Sequence, residues 1–184
     1  MAPWPVLLLV PALALAAGFK GVDHEHWTTR YDHYFRKYAK HYFGPVFDWR
    51  WFKAQGIAES GLDPKARSKA GAVGIMQIMP GTFEYIRKKN PSILSIEDPK
   101  WNIAAGIFYD RHLYDKWEGE PLDGMDRLFF TFGAYNAGHY RVRRAYNKLR
   151  KQGKPATWQQ VDDLLPAETR RYVARIRKLM SQPL

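Results

Sequence analysis

Between Asp126 and Tyr135 the chain is apolar nearly all round, with Leu128, Phe129, Phe130 and Phe132 following one another closely. A helix without a polar face is stable only when other elements surround it, so this segment is read as the central buried helix. The flanking segments carry helical periodicity, and no long period-2 alternation bounded by hairpin turns appears. Aromatics recur near helical spacing from Thr28 to Phe43 (Tyr31, Tyr34, Phe35, Tyr38, Tyr42), and Gly44-Pro45 ends that segment. Asp48 is placed to cap a second helix, Trp49 to about Glu59. Residues 60–73 read as a loop, and Val73 to Met79 as a short strand or a helical turn. Pro80 opens a helix to Asn90, and Asp98 before Pro99 signals another from Lys100 to Trp117. Gly138 separates the central helix from a basic one, His139 to Lys151. The last helix, Ala167 to Met180, aligns Tyr172, Val173, Ile176, Leu179 and Met180 in one apolar stripe. The expected class is therefore mainly α, in a single domain, because 184 residues suffice for one sizeable core and no second-domain linker is visible.

Residues 1–19 contain no charged side chain, and Val6 to Ala17 is an apolar run broken by Pro11. The run is short for a membrane span, which needs about 20 residues, and suits the apolar region of a secretory signal. Ala14-Leu15-Ala16 supplies a small-residue cleavage site, with cleavage after Ala16 or Ala17, although no Lys or Arg precedes the run. Export is expected, with residues 1–17 as a signal peptide or, if uncleaved, residues 4–17 as a membrane anchor. The competing reading is a buried N-terminal strand or helix.

Composition narrows the chemistry. Cysteine is absent, which excludes disulfides, thiolate metal sites and a Cys nucleophile. No phosphate-binding glycine loop and no HExxH occurs, and the six histidines make no convincing ligand set, so neither metal nor cofactor is expected. The net charge of +11 is lopsided: residues 139–184 hold 12 Lys/Arg against 3 Asp/Glu. Such a surface attracts nucleic acid, anionic lipid or an acidic polysaccharide. Nucleic acid is disfavoured because no base-reading module accompanies the charge and an export signal opposes it.

Glu59, in Gly56-Ile57-Ala58-Glu59-Ser60-Gly61-Leu62, falls at the end of an apolar helix just before a glycine-containing loop. The negative end of the helix dipole and loss of water would both disfavour its charged form. Both would raise its pKa toward that of a neutral-pH general acid. Position alone favours a solvated Glu at a helix end. The motifs that follow change the balance: Ser68-Lys69-Ala70-Gly71-Ala72-Val73-Gly74-Ile75-Met76-Gln77-Ile78-Met79-Pro80, then Asn102-Ile103-Ala104-Ala105-Gly106, Ala134-Tyr135-Asn136-Ala137-Gly138, and Leu165-Pro166-Ala167-Glu168-Thr169-Arg170-Arg171-Tyr172-Val173.

In order and spacing this series resembles the soluble-type lytic transglycosylases (SLT), relatives of goose-type lysozyme, over about residues 46–180. Asp48-Trp49-Arg50-Trp51-Phe52-Lys53-Ala54-Gln55 looks most like the catalytic domain of the membrane-bound branch that carries a solute-binding domain. The resemblance implies a lysozyme-like fold at 46–180, with 18–45 as a helical extension. It implies that Glu59 is the catalytic acid/base and that Ser68, Met76, Gln77, Tyr135, Asn136 and Tyr172 bind substrate. Each has an ordinary alternative: Met76 as core, Tyr135 and Tyr172 as buried tyrosines with satisfied hydroxyls, Asn136 as a helix C-terminal residue. The implied substrate is peptidoglycan glycan strands, in the periplasm or cell envelope, with room for envelope or secretion-machinery partners. Most glycosidases use two carboxylates, roughly 5–10 Å apart. The nearest second acid, Asp63 before Pro64, reads as a solvated turn residue or a second carboxylate, and the family pattern implies a single Glu. The substrate's own 6-hydroxyl would then be the nucleophile, giving a 1,6-anhydro product; the alternatives are a lysozyme-like peptidoglycan hydrolase and a catalytically inactive wall-binding module.

Overall fold

The computed structural model describes residues 27–181, so the 1–17 segment lies outside the described residues. The order is α1 (Asp32–Phe43), α2 (Arg50–Ser60), α3 (Pro80–Lys89), α4 (Pro99–Asp115), α5 (Gly124–Ala137), α6 (His139–Lys151), α7 (Trp158–Val161), a 3₁₀ turn (Asp162–Leu164) and α8 (Ala167–Ser181). Among the described residues there is no extended strand. Val73 to Met79 is neither of the forms expected: it is a turn closed by an antiparallel bridge from Val73 to Ile78, with both backbone hydrogen bonds at 3.0 Å, and Val73 also bridges Arg67.

α5 is the central helix. Leu128, Phe130 and Phe132 are fully buried, and α4, α6 and α8 pack around them. α1 lies across α4 and α2 and contributes Phe35, Tyr38 and Ala39 to the same core. Two caps follow the acid-before-helix rule. Asp98 accepts from the Lys100 and Trp101 amides, and Asp123 from the Asp126 amide. Asp48 acts one residue earlier than a cap of α2 would. Its carboxylate accepts from the Arg50 amide at 3.0 Å and pairs with the Arg50 guanidinium at 2.8–2.9 Å, so α2 opens at Arg50.

α2 is enclosed on both sides, with every residue from Trp51 to Ile57 buried. Lys53 among them is 2% exposed. Its ammonium donates to Thr28 O at 2.7 Å and Asp32 Oδ1 at 2.5 Å, beneath the Trp27 ring at 4.8 Å. A buried cation is tolerable only with such partners, and they tie the start of α1 to α2. The region before α8 carried no element in the sequence reading, yet it folds as α7 and the 3₁₀ turn. Its anchor is Trp158, 2% exposed, seated where Gly133 of α5 leaves a notch.

A Cβ added at Gly133 would lie 2.5 Å from Trp158 Cη2, well inside contact distance. Gly133→Ala should therefore destabilise the fold by about 1–3 kcal/mol, the usual cost of overpacking. Thermal unfolding followed by circular dichroism measures it, and an unchanged melt would show that α7 is not seated on α5.

Candidate active site

Glu59 stands at the penultimate position of α2, and the way that helix stops decides where its carboxyl goes. Gly61 adopts φ +65° and Leu62 φ +64°. The Gly61 amide donates to Ile57 O at 2.9 Å and the Leu62 amide to Gly56 O at 3.4 Å, a left-handed terminus that turns the chain sharply. For Leu62 this backbone is strained, and burial of its side chain to 5% exposure holds it. Gly56 makes room: a Cβ there would meet Leu62, Ile75 and Phe35 at 3.1–3.2 Å. Ser60 Oγ donates to Ile75 O at 2.9 Å and so fastens the end of α2 to the glycine-rich segment.

That segment hangs on Asn102 of α4, which is 1% exposed. Its Oδ1 accepts from the Met76 amide at 2.8 Å, and its Nδ2 donates to Val73 O at 2.9 Å and Ile96 O at 2.8 Å. Gly74, at φ +75°, admits it, because a Cβ there would lie 2.6 Å from Asn102 Nδ2. One turn along α4, Gly106 leaves room for the Met76 side chain, whose Cγ would be 2.7 Å from an added Cβ. The Asn-Ile-Ala-Ala-Gly motif thus supplies a clamp and a socket for the segment beside Glu59.

The six residues expected to bind substrate take different positions. Tyr172 of α8 donates its hydroxyl to Glu59 Oε1 at 2.6 Å and is, among the described residues, the one hydrogen-bond partner of that carboxyl. Tyr135 of α5 donates to Met76 O at 2.8 Å. Met76 is fully buried, so its side chain belongs to the core and only its backbone is offered toward Tyr135. Gln77, at φ +44°, folds its amide back onto Gly74 O at 2.9 Å. Ser68 Oγ accepts from the Ala72 amide at 2.9 Å and braces its own turn on the exposed surface. Asn136, also exposed, accepts from Thr169 Oγ1 at 2.8 Å, which joins the end of α5 to α8. Asp63 is exposed, and its carboxylate accepts from the Lys65 amide at 2.8 Å, a solvated turn.

The electrostatics single out Glu59. Burial pushes its carboxyl up to about 7, against an opposing pull from the Tyr172 hydrogen bond. Burial also raises Tyr135 and Tyr172 well above the usual phenol value, with the nearby Glu59 charge adding to both, so each remains a hydrogen-bond donor. Near neutral pH Glu59 can thus hold or release a proton inside a site of neutral donors. Asn102, Thr169 and a fully buried acid on α4, Asp110, carry structure around it that the sequence reading did not assign.

Fold and site together define a lysozyme-like helical domain built around one titrating carboxyl. The chain belongs to the transglycosylase SLT domain family, whose model matches residues 34–158. It is 31% identical over 138 residues to a membrane-bound lytic murein transglycosylase F of Pseudomonas fluorescens, covering 74% of this chain and 26% of the relative. A protein of the same description from Alkalilimnicola ehrlichii is 32% identical over 143 residues, covering 77% and 27%. The solved lytic transglycosylase Slt of Pseudomonas aeruginosa, an inactive mutant, superposes with TM-score 0.69 at 25% identity, over 83% of this chain and 23% of that one. A 70 kDa soluble lytic transglycosylase in complex with bulgecin A superposes with TM-score 0.67 at 30% identity, over 83% and 24%. The chain therefore spans about a quarter of the length of these relatives.

The raised Glu59 value has a consequence for stability. Its folded value of about 7 exceeds the ordinary 4.5, so between these pH values the folded state holds a proton that the unfolded state has lost. Stability contributed by the neutral form is present below about 4.5 and is lost as pH rises through 7. Glu59→Gln should therefore gain up to roughly 3 kcal/mol over wild type under alkaline conditions and nothing in acid. Chemical denaturation at the two extremes reads this directly, and equal gains at both would mean that Glu59 is not desolvated.

Proposed function

We propose that this chain is a peptidoglycan lytic transglycosylase that cleaves the MurNAc-β-1,4-GlcNAc bond and leaves a 1,6-anhydroMurNAc end. The observation that carries the reading is the Glu59–Tyr172 pair at 2.6 Å, a carboxyl held near neutrality in a transglycosylase-family fold. Glu59 first donates its proton to the glycosidic oxygen. With the N-acetyl group assisting departure, the MurNAc 6-hydroxyl attacks the anomeric carbon, and the Glu59 carboxylate takes the hydroxyl proton. The acid is regenerated and no water is consumed. Tyr172 steadies the charged form between the two transfers, since a hydrogen bond to a carboxylate favours ionisation.

The placement of the other acids supports the intramolecular route. Asp63 points into its own exposed turn, and Asp110 is fully buried, so neither is disposed as a partner for a sugar beside Glu59. A tethered nucleophile then has the advantage of proximity. Ser68, Gln77, Tyr135, Asn136 and Tyr172 are proposed substrate contacts, with Met76 contributing through its backbone. Purified sacculi digested with the protein should release muropeptides ending in 1,6-anhydroMurNAc, lighter by about one water than the hydrolysed form (the proximity route). Reducing ends that accept borohydride would assign the protein to the hydrolases instead. Glu59→Gln should clear no sacculi.

The same proposal places the protein at the cell envelope, exported through residues 1–17. N-terminal sequencing distinguishes cleavage after Ala16 or Ala17 from a retained anchor, and an intact chain in the cytosol would contradict export. The basic helix α6 fits an anionic polymer. Val142, Ala145 and Tyr146 face the core, while Arg141, Arg144, Lys148 and Lys151 are exposed. Arg143 is not part of that face: it pairs with Glu120, donates to Lys116 O and lies over the Trp117 ring at 4.1 Å. Reversing Arg141, Arg144 and Lys151 to Glu should weaken sacculus adsorption at low salt. Rising salt should weaken the wild type, because exposed charges are screened over about 8–10 Å at physiological ionic strength. Equal adsorption by the two proteins in a pull-down would make α6 an ordinary solvated face.

A further inference from the structure

α2 and α4 meet at two polar side chains that the reaction above does not use. Gln55 and Asp110 are both completely buried. Gln55 Nε2 donates to Asp110 Oδ1 at 3.2 Å. The other half of each group, Gln55 Oε1 and Asp110 Oδ2, is buried without a hydrogen-bond partner. With Asp110 ionised, the pair would hold two unsatisfied acceptors, one of them an anionic oxygen, among the costliest arrangements a core can contain. One proton removes both defects. Placed on Asp110 Oδ2 it creates a donor, and the acceptor lacking a donor on the same partner is Gln55 Oε1. The two side chains then exchange two hydrogen bonds, as a carboxylic acid and a primary amide do.

Gln55 lies one helical turn before Glu59, on the same face of α2. We propose that Asp110 is a positioning residue that works as a neutral carboxylic acid, closing a reciprocal acid–amide pair with Gln55 that fixes the Glu59 turn of α2 against α4. The proposal rests on Glu59 as the acid/base. Burial favours the protonated form of Asp110, the Glu59 charge adds to it, and the Gln55 bond opposes it. The titratable groups that share this field are Glu59 on α2, Tyr109 on α4 itself, Tyr135 on α5 and Tyr172 on α8. A charged Asp110 would place a second anion beside Glu59 and hinder its release of a proton. A neutral one anchors the helix and leaves Glu59 to titrate under burial and Tyr172.

Infrared spectroscopy of the whole protein reads the proton directly. The wild type should show a carboxylic-acid C=O stretch that persists under alkaline conditions, after the Glu59 band has titrated away, and that is missing from Asp110→Asn. Kinetically, Asp110→Leu leaves Gln55 unpaired and should lower kcat about ten- to a hundredfold with KM nearly unchanged, the effect of a misplaced acid. Asp110→Asn should restore it, because its Oδ1 accepts from Gln55 Nε2 and its Nδ2 donates to Gln55 Oε1. Absence of the persistent band overturns the proposal, as does an Asn variant as slow as the Leu variant. So does an Asn variant whose pH profile moves to lower pH, since that shift would reveal a negative charge removed from beside Glu59. An active Glu59→Gln variant would instead sink the acid/base reading and leave the infrared result on Asp110 standing.

Discussion

The structure depends on shielding one half-buried carboxyl, Glu59, from most of the solvent while giving it, among the described residues, a phenol and not a cation as its partner. Among the described residues its hydrogen-bond partner is a phenol at 2.6 Å, and burial leaves it near neutrality rather than in the acid range. A lysine or arginine in place of Tyr172 would hold the carboxylate charged and prevent proton donation. A wholly apolar pocket would hold it protonated and prevent the return step. A neutral donor lies between these limits, and the rest of the fold can be understood as the means of placing it there.

That placement draws on parts of the chain far apart in sequence. α2 carries Glu59, the left-handed turn at Gly61 and Leu62 sends the chain away from it, and Ser60 and Asn102 fasten the returning segment. α5 supplies Tyr135 to that segment, and α8 supplies Tyr172 to the carboxyl itself, with Thr169 tying α8 back to Asn136. The central helix, buried nearly all round, is what allows α4, α6 and α8 to converge. The buried Gln55–Asp110 contact joins α2 to α4 directly.

Much of this was legible in the sequence because its causes are local. Pro80, Asp98-Pro99 and Gly138 mark helix boundaries through backbone geometry and capping, and α6 runs from His139 to Lys151 as the pattern predicts. The apolar stripe of α8 and the all-round apolar α5 follow from periodicity alone. What the sequence could not show depends on partners found only in three dimensions. Met76 is motif-like, yet whether its side chain faces a cleft or the core is decided by the socket at Gly106 of α4. Arg143 sits in a basic run, yet Glu120 and Trp117 draw it inward. α7 is four residues long, too short for a period, and is held by a notch in α5. Asp110 stands within the segment read as the Lys100–Trp117 helix, and only the fold reveals that it faces Gln55.

Burial, moderated by one phenolic hydrogen bond, brings the Glu59 carboxyl to a value near neutrality. Carbon-detected NMR of glutamate-labelled protein, with Glu59→Gln to assign the resonance, measures this most directly. The Glu59 carboxyl should titrate with a midpoint of about 7. A midpoint near the ordinary 4.5 would contradict it.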